Sequence, residues 1–154
     1  MTAMGRPGAR LPLPHWIDEM TDSITPARRV AIIRDYNETF MRRDLDGMRR
    51  HYAPDFVQWH SNIRRDFPIE EEMAILRTVL AAAHIVFHQM VLTPLSGNVV
   101  MDQHMLDIRQ NDGRETLNIP CSVLFHFRGD KIVRSEEYID GLSVPIMDIL
   151  PAPA

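Results

Sequence analysis

Residues 85–140 read IVFHQMVLTPLSGNVVMDQHMLDIRQNDGRETLNIPCSVLFHFRGDKIVRSEEYID, and the texture of this stretch decides the fold. Four runs within it, 85–93, 99–109, 115–127 and 131–140, are rich in β-branched and aromatic residues and alternate apolar with polar positions, as half-buried strands do. Ser96-Gly97-Asn98, Asn111-Asp112-Gly113 and Gly129-Asp130 separate the runs with residues that turn the chain sharply. The stretch is therefore expected to form an antiparallel meander.

Upstream the period changes from two to that of a helix. Thr25 before Pro26 is a helix start, because the hydroxyl can accept a free N–H and proline fits the first turn. Ile32, Tyr36 and Phe40, flanked by Val30 and Ile33, predict one buried stripe running to about residue 43. A second, short helix is expected over 44–51 and a strand over 55–60. Asp66 and Pro68 are expected to open a third helix, with Glu70, Glu71 and Glu72 at the positive end of its dipole and Ile69, Met73, Leu76 and Leu80 on its apolar side. Helix, helix, strand, helix, meander is an α+β layout: a cone-shaped, curved antiparallel or mixed sheet with three helices enclosing a pocket.

A chain of 154 residues with 45% hydrophobic content can bury a core without staples, which predicts a single domain over 21–154 behind a flexible N-terminal arm over 1–20. His15 and Trp16 in that arm could cover the pocket mouth. Cys121 is the only cysteine, so an internal disulfide is excluded and a reducing, cytoplasmic setting is expected. The first fifteen residues lack the continuous apolar run of a secretory signal or a membrane anchor. A net charge of −4 argues against nucleic acid, despite the pairs Arg28-Arg29, Arg42-Arg43, Arg49-Arg50 and Arg64-Arg65. His84 and His88 have a four-residue spacing, yet no cysteine or paired carboxylate completes a ligand set, so no metal is expected. With no glycine-rich phosphate loop and no nucleophile elbow, no cofactor is expected either.

Two segments then carry a resemblance. Residues 36–60, YNETFMRRDLDGMRRHYAPDFVQWH, and residues 129–145, GDKIVRSEEYIDGLSVP, resemble the ketosteroid-isomerase-like superfamily. This superfamily includes nuclear transport factor two, the SnoaL-type polyketide cyclases, scytalone dehydratase and limonene-epoxide hydrolase. The likeness spans about residues 25–147 and implies the same α+β cone.

The resemblance also implies roles. Tyr36 falls where the isomerases keep a tyrosine that hydrogen-bonds a developing oxyanion, although it equally suits an amphipathic residue of the first helix stripe. His60 stands where relatives carry an aspartate, an asparagine or a tyrosine, and it is ranked first as general base against a hydrogen-bonded wall histidine. Glu137 aligns with the acid-base aspartate of the cyclases and the epoxide hydrolase. Strand alternation puts it on one face with Val133, Ser135 and Ile139, where desolvation would raise its pKa and let it hold a proton; a rim glutamate facing water is the other reading. His88 resembles by position a dehydratase histidine, but Phe40 and Met41 replace the aspartate that would orient it. Val123 stands near the second acid of the isomerase oxyanion hole, and Gln103, His104 and Met105 occupy the stretch of the epoxide-hydrolase triad.

The resulting expectation is a cofactor-independent cyclase, isomerase or lyase acting on a small apolar carbonyl compound. Its catalytic residues would be His60, Glu137 and Tyr36, with His104, His88, Gln58 and Met90 binding substrate. The alternative is a non-catalytic ligand-binding or dimerisation module of the same fold, and a homodimer through the sheet is expected in either case.

Overall fold

The computed structural model describes residues 24–140. The expected N-terminal arm, with His15 and Trp16, and the last five residues of the second resemblance segment lie outside the described residues.

Thr25 caps α1, Pro26–Met41, by accepting the Arg28 N–H at 3.2 Å, and the helix buries Ile32, Ile33 and Tyr36. Asp44 caps α2, Leu45–His51, through the Gly47 N–H at 2.8 Å, so two short side-chain caps set the helical hairpin. The chain then enters β1, Tyr52–His60, three residues before the expected start at 55, because Tyr52 already pairs with Ile132.

Residues 66–68 do not open a helix as expected. Asp66–Pro68 is a short strand, β2, in which Phe67 is buried and pairs with Gln58 of β1. Burial of that ring holds the segment extended, and α3, Ile69–Ala82, starts only after Pro68. The meander follows as β3, Ala83–Leu95, β4, Val99–Gln110, β5, Glu115–Arg128, and β6, Lys131–Ile139. Gly97, Gly113 and Gly129 all take positive φ in its turns, the backbone state that the turn signals required.

The six strands form one mixed sheet in the order β2-β1-β6-β5-β4-β3. All pairs are antiparallel except β1 with β6, which brings the first strand beside the last. α1 crosses β3 and β4, whereas α3 leans on β1 and β2, so the helices cover the concave side. Ile33, Met48, Ile108, Ile119, Phe127 and Ile132 are essentially inaccessible to water and form the core between the layers. Among the described residues no helix is long and apolar enough to cross a membrane.

Pairing register fixes which side chains meet above the concave face. Asp102 lies opposite Val123, Val123 opposite Glu137, and Glu137 opposite His60, so four strands contribute one transverse row. A bulge in β6 opposite the His126–Phe127 step absorbs Val133. Ile132 takes the core position below it, and Ser135, Glu137 and Ile139 above it reach the cavity wall. The expected inward set therefore holds for those three, while Val133 belongs to the bulge.

Candidate active site

The cone encloses a cavity of about 120 Å3, with walls built mainly from apolar side chains such as Phe40, Leu76, Ile85, Phe87 and Phe125. Tyr36, Gln58, His60, His104 and Glu137, five of the seven residues expected at the site, line it. His88 and Met90 do not. His88 pairs with Met105 on the outer face of the sheet and bonds Asp107 there at 3.2 Å, so it is withdrawn from the binding set. A bulge between His88 and Val91, with Gln89 at φ 54°, interrupts the alternation. Met90 lies in that bulge, where its sulfur accepts a hydrogen bond from Asn37 at 3.1 Å. His84 and His88 both lie on β3, where four residues span about 13 Å, too far for one metal ion.

The principal polar feature joins three elements. His60 at the end of β1 has Nδ1 2.5 Å from Glu137 Oε2 on β6 and Nε2 3.3 Å from Glu72 Oε2 on α3. All three side chains are largely buried, at 15%, 25% and 4% exposure respectively. Phe67 packs edge-on against the imidazole, with ring centroids 5.4 Å apart.

Burial by itself would strip the proton from this imidazole. The hydrogen bonds and charges of Glu137 and Glu72 outweigh burial and raise the His60 pKa to about 10. Burial likewise favours a protonated Glu137, but the His60 hydrogen bond and charge, helped by His104 and Cys121, hold its pKa below the ordinary value. Both sequence expectations are thereby inverted. At neutral pH His60 is an imidazolium with both N–H groups committed, and Glu137 is the ionised partner, because a positive charge beside a carboxyl outweighs desolvation.

Glu72 is the member that the sequence reading missed, having placed it among three dipole-facing carboxylates. Only Glu72 of the three is buried. A signal existed: Glu72 stands three residues after Ile69 and four before Leu76, on the apolar stripe of α3. Asp102 was missed similarly. It is fully buried, and it shares the inward face of β4 with Val100, His104, Leu106 and Ile108.

Tyr36 presents its hydroxyl 2.7 Å from that of Tyr52. Burial, followed by the charges of Glu72, Glu137 and Asp102, pushes the Tyr36 pKa up, while its Tyr52 contact counters only part of this. Tyr52 is raised well above its ordinary value, again chiefly by burial. Both phenols are hydrogen-bonding groups that stay neutral. Gln58 is tied to the Ser135 hydroxyl and to the Trp59 carbonyl, so it braces the wall. Cys121 approaches Glu137 Oε1 at 3.7 Å, and burial first, then the charge of Glu137, raises its pKa far from thiolate formation.

The titration directions fix the sign of a pH effect on stability. His60 binds its proton more tightly when folded, so its contribution is complete below about pH 6.5 and is lost as pH rises towards about 10. Glu137 contributes above its ordinary value, 4.5, and loses that contribution as acid protonates it in the folded state. Thermal unfolding followed from acid to alkali is expected to give maximal stability between these limits, with a decline on the alkaline side. A profile flat from about pH 7 to about pH 10 contradicts the assignment.

A SnoaL-like domain model matches residues 33–135. A provisionally named polyketide cyclase from Xanthomonas campestris pv. campestris superposes with a TM-score of 0.67 at 18% identity, covering 75% of this chain and 92% of its own. A nuclear-transport-factor-two-like protein from Burkholderia xenovorans LB400 gives 0.68 at 16% identity, covering 82% and 98%. A provisionally named isomerase from Bacillus subtilis gives 0.69 at 12% identity, covering 79% and 93%. At these identities the likeness is one of fold. No functionally curated protein matches the chain.

Proposed function

The chain belongs to the SnoaL-like family, and from that footing we propose that it is a cofactor-independent enzyme of the cyclase, isomerase or lyase kind, moving a proton beside the carbonyl of a small, largely apolar molecule. The observation that carries this reading is the Glu137–His60–Glu72 cluster at the wall of an apolar cavity that also receives the Tyr36 phenol. An ionised carboxylate in a largely dry site is a competent base, and a neutral phenol nearby can hydrogen-bond the oxygen on which charge develops.

In this scheme Glu137 is the base. Its Oε2 is held by His60, and Oε1, approached by the Cys121 thiol, is the atom that meets a substrate C–H. The C–H electron pair flows towards the carbonyl, producing an enolate whose oxygen accepts a hydrogen bond from Tyr36. The Tyr52 hydroxyl, 2.7 Å from that of Tyr36, is able to donate to its oxygen while the Tyr36 hydroxyl hydrogen turns to the enolate. The proton, now on Glu137, returns to a different carbon or to the oxygen. His60 is a positioning residue: it keeps Glu137 ionised and aimed, while Glu72 balances the imidazolium charge.

Exchange of α-protons of cyclohexanone in D2O, followed by proton NMR, tests the base. Glu137→Gln is expected to lower the catalysed rate by about 10²- to 10⁴-fold, the usual contribution of a positioned general base. In His60→Gln the acid limb of the rate profile is expected to move to higher pH, since Glu137 loses the charge that lowers its pKa. Wild-type exchange no faster than buffer, or full exchange in Glu137→Gln, refutes the enzyme assignment.

The outer face of the sheet carries an interaction surface whichever reading holds, the enzyme or the non-catalytic ligand-binding or dimerising module. Val91 and Tyr138, 55% and 46% exposed, belong to one cross-strand row on the outer sheet face, joined through Gln103 and Ser122. The Trp59 ring packs 5.3 Å from that of Tyr138. Aromatic and aliphatic groups on an open sheet suit a homodimer, which is compatible with either reading. Sedimentation is expected to return a dimer that Tyr138→Asp weakens; a wild-type monomer at high concentration rejects the interface.

A further inference from the structure

Across the cavity from Glu137 lies a second buried polar group that the proposed chemistry does not use. Asp102 has no exposed surface, and each of its oxygens is engaged. Oδ1 lies 3.0 Å from His104 Nδ1, and Oδ2 accepts the Asn37 side-chain N–H at 2.7 Å. His104 is itself only 6% exposed, and Phe87 covers one face of its ring at a centroid distance of 4.4 Å. With Nδ1 pinned and the face covered, one polar atom remains. His104 Nε2 has no hydrogen-bond partner among the described residues, although His104 lines the cavity. A buried imidazole held this firmly by a carboxylate, with its second nitrogen unsatisfied, is suited to a ligand group.

Register sets the separation of the two poles. His104 lies on β4 and Glu137 on β6, two residues out of register with one another and with β5 between them, so their backbones are at least about 10 Å apart. Val123, which is apolar, lies between them at the cavity floor. A ligand reaching both poles thus carries two polar groups separated by hydrocarbon. A cavity of about 120 Å3 suits a short stretch of hydrocarbon. It is close to the roughly 150 Å3 of an apolar cavity that admits a single benzene ring.

Charge limits the polar groups. Asp102, Glu72 and Glu137 all face this space, the cation beside them, His60, has both its N–H groups committed to Glu137 and Glu72, and no lysine or arginine is among the described residues lining it. An anionic ligand would meet carboxylates without a compensating guanidinium or ammonium. A hydroxyl is the best match to His104 Nε2, because it can donate to a bare ring nitrogen and can accept from a protonated one, whereas a carbonyl can only accept.

We infer that His104, oriented by Asp102 and Asn37, is the specificity-determining anchor of the cavity and takes the hydroxyl of a neutral, one-ring hydroxy-carbonyl compound whose carbonyl end lies at Glu137 and Tyr36. The orientation of that ligand rests on the proposed role of Glu137. The hydroxyl preference does not, since it is read from binding.

The test is a binding series on the wild-type chain with cyclohexanone, 3-hydroxycyclohexanone and 3-oxocyclohexanecarboxylate, following the His104 ring by nitrogen-15 NMR. 3-Hydroxycyclohexanone is expected to bind about fivefold tighter than cyclohexanone, the effect of one added buried hydrogen bond. It is expected to shift the Nε2 resonance where cyclohexanone does not, and the carboxylate is expected to bind weakest. In His104→Phe the gain from the hydroxyl is expected to vanish, with Asp102→Asn as a second variant that loosens the ring without removing it. Equal affinity for the two ketones, an unmoved Nε2 resonance, tightest binding by the carboxylate, or no binding by any of the three overturns the proposal. Hydroxyl-selective binding without α-exchange refutes the base assignment at Glu137 and leaves the His104 anchor standing; exchange without hydroxyl selectivity does the reverse.

Discussion

The imidazolium of His60 between two buried carboxylates is the interaction on which the cavity depends. It ties the end of β1 to β6 and to the first turn of α3, three elements that chain order alone does not bring together. Burying a lone carboxylate is costly, and burying two within reach of each other is worse. A cation with two N–H groups directed at them makes the arrangement tenable. Removing one member of a buried ion pair typically costs about 3–5 kcal/mol, because the remaining charge loses its partner. The same cluster therefore holds the mouth of the cone together and leaves Glu137 ionised in an apolar hollow.

The parallel pairing of β1 with β6 is the backbone counterpart of this cluster. It sets His60 opposite Glu137 and, through β5, places Val123 and Asp102 in the same row. The bulge at Val133 matters for the same reason, since it lets Ile132 fill the core below while Ser135, Glu137 and Ile139 serve the wall above. Two buried histidines consequently differ in what they offer. His60 has both nitrogens committed to protein carboxylates, whereas His104, which lines the cavity, has one committed and no hydrogen bond to the other among the described residues. The first supports an electrostatic role, and the second supports recognition.

Most of the fold could be read from the sequence because it rests on local signals. The Thr25-Pro26 start, the apolar stripe of α1 and the glycine turns of the meander are decided by nearest neighbours, and strand alternation put Glu137 on the inner face. Residues 66–68 misled, because Asp and Pro resemble a helix opening while the burial of Phe67 against β1 is a long-range event. Protonation was illegible for a related reason. Glu137 was expected to hold a proton on the strength of desolvation alone, and its countercharge comes from a residue 77 positions away in the chain. Glu72 and Asp102 were within reach of the period-3.6 and period-2 patterns, had carboxylates on apolar faces been weighed as signals.

The measurement that bears most directly on this account is a nitrogen-15 titration of the His60 ring in the ligand-free protein, repeated with Glu72→Gln. The account predicts that both ring nitrogens stay protonated through neutral pH and titrate near 10 in the wild type. It also predicts that the midpoint falls when Glu72 loses its charge. A wild-type His60 that titrates at or below about 6.5, the ordinary histidine value, would contradict it.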